Sequence, residues 1–184
     1  MKRMFVIALA LFCFATLGPM GANDDIHWSS PVNGLQARLS FSRQQSFNGT
    51  PLIATYLELR NVADVANVME VPFKPELIQF EVLDEQDKVV APTNTGPYDE
   101  LTVELGTLRL PHDSYLRFNI SHHGAGISKN QGALLDLGVL SCWVFSPGDK
   151  HTYYLRGRFS SAPGKGRIWS GVIEMPKVKV PTAE

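Results

Sequence analysis

The chain has little cysteine, little helical pattern and no cluster of basic residues, and each shortage excludes something. Two cysteines occur in 184 residues, Cys13 and Cys142. Cys13 falls inside the first apolar run and follows Phe12, where a lipoprotein signal requires a small residue, so lipidation is not expected. If the N-terminal segment is removed, Cys142 stands alone and a disulfide within the chain is excluded. A chain of this size can bury enough core to fold without one. Cys142 sits in "GVLSCWVF" among large apolar residues, the setting of a buried thiol acting as a small hydrophobe. An intermolecular disulfide is the other use open to it.

Basic and acidic residues number 17 and 18, with no basic stripe, so nucleic acid is excluded as an expected partner. No polybasic cluster or lipidation motif points to a membrane surface. A Gly-x-Ser-x-Gly nucleophile elbow is absent, as is an Asp-x-Asp-x-Asp calcium loop. Periodicity of 3.6 residues is nearly absent too. "NVADVANVMEV" (61–71) reads as a loop with at most one turn, and twelve prolines spread along the chain oppose long helices.

What is present begins with a leader. Met1-Lys2-Arg3 is basic, Met4 to Leu17 is apolar apart from Thr16, and small residues precede Asn23. That order is a secretory signal peptide, with cleavage expected after Ala22 and an uncleaved anchor as the alternative. Residues 1–22 are thus read as the leader and 23–184 as one exported domain (secreted, periplasmic or at the cell surface) with no membrane span after cleavage. Loss of Lys2 and Arg3 takes the net charge from −1 to −3.

Within 23–184 the strongest signal is alternation. Leu35, Ala37, Leu39 and Phe41 share one face, as do Ile53, Thr55, Leu57 and Leu59. Ile78, Phe80 and Val82 alternate with polar residues, and Leu116, Phe118 and Ile120 oppose Tyr115, Arg117 and Asn119. Leu155 and Phe159 oppose Arg156 and Arg158, and Trp169, Ile173 and Met175 close the series. Each segment is a half-buried strand. Turn residues separate them, and "EVLDEQDKVV" predicts a hairpin. About seven to nine strands predict an all-β antiparallel sandwich. The ends, 23–30 and 177–184, are expected to be loose.

"ATYLELRNVAD", "FSPGDKHTYYLRGRF" and "IWSGVIEMPKVKV" resemble the second strand, the turn with strand F, and the closing strand of immunoglobulin-like or fibronectin-III-like domains. The cysteine pair and intervening tryptophan of antibody domains are missing. The resemblance implies an immunoglobulin-like β-sandwich, with Tyr153 or Tyr154 as its tyrosine corner, and no catalytic residues or cofactor.

The candidate site is "ISHHGAGISKNQG" (120–132). Three glycines and its length predict an exposed connection of about ten residues, longer than a common hairpin loop. Long loops on a rigid frame often carry function. His122, His123, Ser128, Lys129 and Asn130 are the candidate binding residues. His122 and His123, with His112 and Asp113 on another turn, are the candidate metal ligands, provided the turns meet. Cys142 and His151 flank a Pro-Gly turn, but a blue-copper site would need a second histidine and a closer spacing. Of the tryptophans, Trp143 and Trp169 read as core and Trp28 as free, a poor platform for sugar. "NGT" at Asn48 and "NIS" at Asn119 fit the glycosylation sequon. The expected function is non-enzymatic binding of an unknown protein or surface ligand. The alternatives are a protease inhibitor inserting residues 121–132 into a cleft, and a metal-dependent or hydrolytic enzyme.

Overall fold

The structure, a computed structural model, describes residues 27–45, 51–64, 68–93, 106–121, 127–128, 132–137, 142–146, 148–163 and 168–181. Along these residues run β1 (Leu35–Gln45), β2 (Pro51–Asn61), β3 (Met69–Pro72), a 3₁₀ turn (Pro75–Leu77), β4 (Ile78–Leu83), β5 (Val89–Val90) and β6 (Thr107–Leu110). There follow β7 (Tyr115–Asn119), β8 (Ile127–Ser128), β9 (Gly132–Asp136), β10 (Cys142–Phe145), β11 (Tyr154–Ser161), β12 (Gly171–Glu174) and β13 (Val178–Lys179). The chain is all-β, and every strand pair is antiparallel.

The sheets order as β1-β2-β7, as β12-β11-β4-β5 with β13 also on β11, as β10-β9-β8, and as β3-β6. None closes on itself among the described residues. Among those residues no helix is long and apolar enough to cross a membrane.

The alternation of the sequence becomes the core. Leu35, Leu57, Leu59, Val82, Leu155, Phe159 and Ile173 are fully buried in one apolar cluster drawn from β1, β2, β4, β11 and β12. Burying each leucine contributes about 2 kcal/mol before entropy is counted. Trp169 stacks on Phe159, ring centres 5.2 Å apart, and Trp143 is buried in the same cluster. Side chains fill the space over Gly157 so closely that a Cβ there would meet Leu39 Cδ1 at 3.1 Å and Met175 Cε at 3.0 Å. Only a residue without a side chain fits there unless its neighbours shift. The predicted hairpin forms, with Val82 facing Val90 and Asp84 Oδ1 accepting the amides of Gln86 and Lys88.

Several expectations are corrected. Residues 61–71 hold a strand, β3, which pairs with β6. Both went unseen because four-residue strands carry too few alternations to register. Where described, both ends are hydrogen-bonded to the sheets. Asn33-Gly34, both at positive φ, make a two-residue hairpin in which Val32 and Leu35 exchange amide hydrogen bonds. Ser29 is thereby buried and bonded to Ala37 along the edge of β1. At the other end Val180 is 1% exposed and its amide donates to Tyr153 O.

Candidate functional site

His112 and Asp113 lie on the exposed turn between β6 and β7. Asp113 takes a left-handed φ of 54°, donates its amide to Asn61 O, and accepts Arg60 Nη2 on Oδ1 at 2.8 Å. The hydrogen bond and charge of Arg60 hold its carboxyl below the ordinary range, with His112 adding a little. Asp113 therefore already has a cationic partner. His122, His123, Lys129 and Asn130 lie outside the described residues, so the expected meeting of the histidines with His112 and Asp113 lies outside them too. Asn48, in the first sequon, also lies outside them.

The connection expected as one loop is corrected in part. Ile127 and Ser128 form β8 and pair with Ala133 and Gly132, which interrupts the stretch with a short hairpin. Its start is pinned to β2. Ile120 donates its amide to Thr55 O at 2.9 Å, and Ser121 Oγ accepts the Thr55 amide at 2.6 Å. Asn119 of the second sequon is exposed at the end of β7 and accepts the Ser121 amide on Oδ1.

Cys142 is buried opposite Asp136. Burial, and secondarily the Asp136 charge, push its thiol pKa up, which disfavours the reactive thiolate. His151, by contrast, is exposed and bonded elsewhere, so the two do not share a copper-type site.

Where His151 does point is a cluster that spacing alone did not reveal. The Ser146–Asp149 turn, with Gly148 at φ 74°, sets Asp149 Oδ1 to accept the His151 amide at 2.9 Å. Tyr153 donates its hydroxyl to Asp149 Oδ2 at 2.8 Å and packs on Phe145. Glu85, on the turn between β4 and β5, meets His151 Nδ1 at 3.1 Å and accepts the Thr152 amide at 3.1 Å. The cluster clasps two turns that are 66 residues apart in sequence. The one signal for it was an Asp two residues before a His; Glu85 gave none.

The hydrogen bond and charge of Glu85 raise the His151 pKa above 6.5, with Asp149 helping. Glu85 is lowered chiefly by His151, and Asp149 chiefly by the His151 amide. Burial and the bond to Asp149 push Tyr153 up to about 12. For a raised histidine the stabilisation is full below its unfolded value and is lost as pH rises through the folded value. For lowered carboxylates it is present above their unfolded values and lost as pH falls through the folded ones. The clasp is therefore tightest between the ordinary values of Glu85 and His151, 4.5 and 6.5. A proton NMR titration should place the His151 midpoint above 6.5 and return it toward 6.5 in Glu85→Gln. An unchanged midpoint in the variant would refute the clasp.

A second constellation covers the outward face of β1-β2-β7. Register sets Arg38 opposite Glu58 and Glu58 opposite Arg117. Glu58 is 3% exposed although it faces away from the apolar core. Its Oε2 accepts Arg38 Nε at 2.9 Å and Nη2 at 2.7 Å. Its Oε1 accepts Ser40 Oγ at 2.8 Å, with Arg117 Nε 3.5 Å away. Arg38 Cζ lies 4.4 Å from the centre of the Trp28 ring, and Arg117 Cζ lies 3.7 Å from that of Tyr56. Trp28 is thus half-buried beneath a guanidinium, a correction to its reading as free. Tyr115, beside Arg60 in register, is 61% exposed. Alternation put Glu58 opposite the leucine face, but nothing in the pattern said that arginines and rings would cover it.

On the other sheet's outward face, Arg156 pairs with Glu81 and Arg158 with Glu174, around a shallow hollow of about 230 Å³ over Gly157. Among the described residues no group of three or more His, Cys, Asp and Glu side chains is placed to hold a metal ion. Comparison with protein-family models, with curated proteins and with solved structures returns no match.

Proposed function

We propose that the chain is an exported, non-enzymatic binding domain built as an immunoglobulin-like β-sandwich. The sandwich reading draws support from one apolar cluster shared by the β1-β2-β7 and β12-β11-β4-β5 sheets, with Leu39 laid against Gly157. Tyr153, just before β11, ties back to Asp149 four residues upstream, much as a tyrosine corner does. The bond differs in ending on a carboxylate rather than on the backbone.

The observation that carries the binding reading is the outward face of β1-β2-β7. Tyrosine, tryptophan and arginine dominate the energetics of protein interfaces, and here two arginines are already fixed against rings and a carboxylate. Fixing side chains before contact lowers the entropy cost of association. The contact surface on this reading joins that face, through Asn119 to Ser121, to residues 121–132.

Site-specific photo-crosslinking in the native host tests it. A photoreactive residue at Tyr115 is expected to give a discrete adduct, and one at Val172 on the opposite sheet none. Equal labelling from both positions, or none from either, overturns the reading. A discrete adduct to an exported protease, with that protease inhibited by the purified domain, would establish the inhibitor alternative instead.

A further inference from the structure

We propose that the Arg117 stripe of β7 is a docking surface for a carboxylate-bearing segment of a protein partner; the inference rests on the binding reading above and specifies its chemistry. One carboxylate, Glu58, lies between two guanidiniums, and Arg38 takes both of its bonds to Oε2 while Ser40 takes Oε1. Arg117 reaches Oε1 only at 3.5 Å, so its contact is an ion pair without a short hydrogen bond. Arginine does not deprotonate in proteins, so the Arg38–Glu58–Arg117 group keeps one excess positive charge. Asp113, the other carboxylate at this face among the described residues, is bound to Arg60.

That excess charge is accessible and oriented. The Arg117 side chain is 43% exposed and Arg60 39%. The Arg117 guanidinium lies over the Tyr56 ring, and Nε faces Glu58. The two Nη groups complete a planar fork of the kind that takes a carboxylate in a bidentate pair. Tyr115 and Asn119 flank Arg117 on the same face of the strand, both exposed, offering an aromatic anchor and an amide.

The same details disfavour other occupants. A sugar platform would need several open ring faces, and with one face each of Trp28 and Tyr56 taken by a guanidinium, Tyr115 is left as a single exposed ring among the described residues. A nucleic acid would need several phosphates neutralised at once, and the described residues of this face offer one excess charge on a chain of net charge −1.

The test is an NMR titration of the isotope-labelled exported chain with a hexaglutamate peptide at low salt, reading arginine Nε–H and backbone signals. Expected are shifts at Arg117, Tyr115 and Asn119 that fade as salt is added. Arg117→Gln should weaken the fitted affinity about tenfold and Arg117→Lys by less, since the lysine keeps charge but loses the fork. Tyr115→Ala, at an exposed position that cannot disturb the core, should also weaken it. The proposal is overturned by an absence of shifts at Arg117, by equal shifts at Arg156 and Arg158, or by tighter binding of a heparin fragment or oligothymidylate. A failed titration beside a discrete Tyr115 cross-link would reject the acidic chemistry and leave the binding reading standing.

Discussion

Glu58→Ala is expected to destabilise the domain by about 3 kcal/mol, because removing one partner of a buried ion pair leaves the other charges uncompensated. Arg38, three-quarters covered, and Arg117 would then face each other across an empty position, and Ser40 would lose its acceptor. Their partial exposure lets water relieve some of the loss, which keeps the figure at the lower end of the range for such pairs. Urea unfolding of the two proteins measures it directly. Replacing Glu58 and Arg38 together with leucines should recover much of the stability, since a buried pair can often be exchanged for apolar residues at little cost. A Glu58→Ala loss below about 1 kcal/mol would mean that the pair behaves as a surface salt bridge. Recovery in the double variant matters for function as well. It would show that the charges on this face exceed what folding needs.

Phe159→Ala is expected to cost about 4 kcal/mol, the range for emptying a fully buried aromatic site. Phe159 has no exposed surface, stacks on Trp169, and sits on β11 opposite Ile173 on one side and Ile78 on the other. The cavity would open where β4, β11 and β12 meet. Against a typical total of about 5–15 kcal/mol, that loss puts the variant near the edge of folding at 37 °C. Calorimetry should find a melting transition lowered by roughly 10 °C or more, or no cooperative transition at all. Phe159→Leu should fall between the two, because leucine refills part of the volume. A shift of only a degree or two in Phe159→Ala would show that Trp169 collapses into the space, and that the core there is less fixed than the packing implies.

These two residues mark the boundary between what the chain's pattern discloses and what it hides. Phe159 was legible. It is one of a series of apolar residues spaced by two, and that spacing alone places a side chain on the buried face of a strand. The same logic located the buried faces of β1, β2, β4, β7 and β12, the hairpin between β4 and β5, and the burial of Cys142, Trp143 and Trp169. The short strands β3, β6 and β8 escaped because two to four residues carry too little alternation, and long-range pairing rather than local preference makes them strands.

Glu58 was only half legible. Alternation assigned it to the outward face, where a glutamate is ordinarily solvated, yet it is nearly as buried as the leucines beside it. The cause is lateral. Register across three strands sets two arginines against it, and rings from Trp28 and Tyr56 hold those arginines in place. The Glu85–His151 clasp is a sharper case, because its halves lie on turns that meet only once β4 and β11 are paired.

The sequence by itself thus determined the all-β class and the inward face of the longer strands. Those follow from local order, since strand geometry makes every second side chain share a face. The tertiary structure decided which strands are neighbours, and therefore which charges meet. Cross-strand pairing joins residues tens of positions apart, and no local period encodes it.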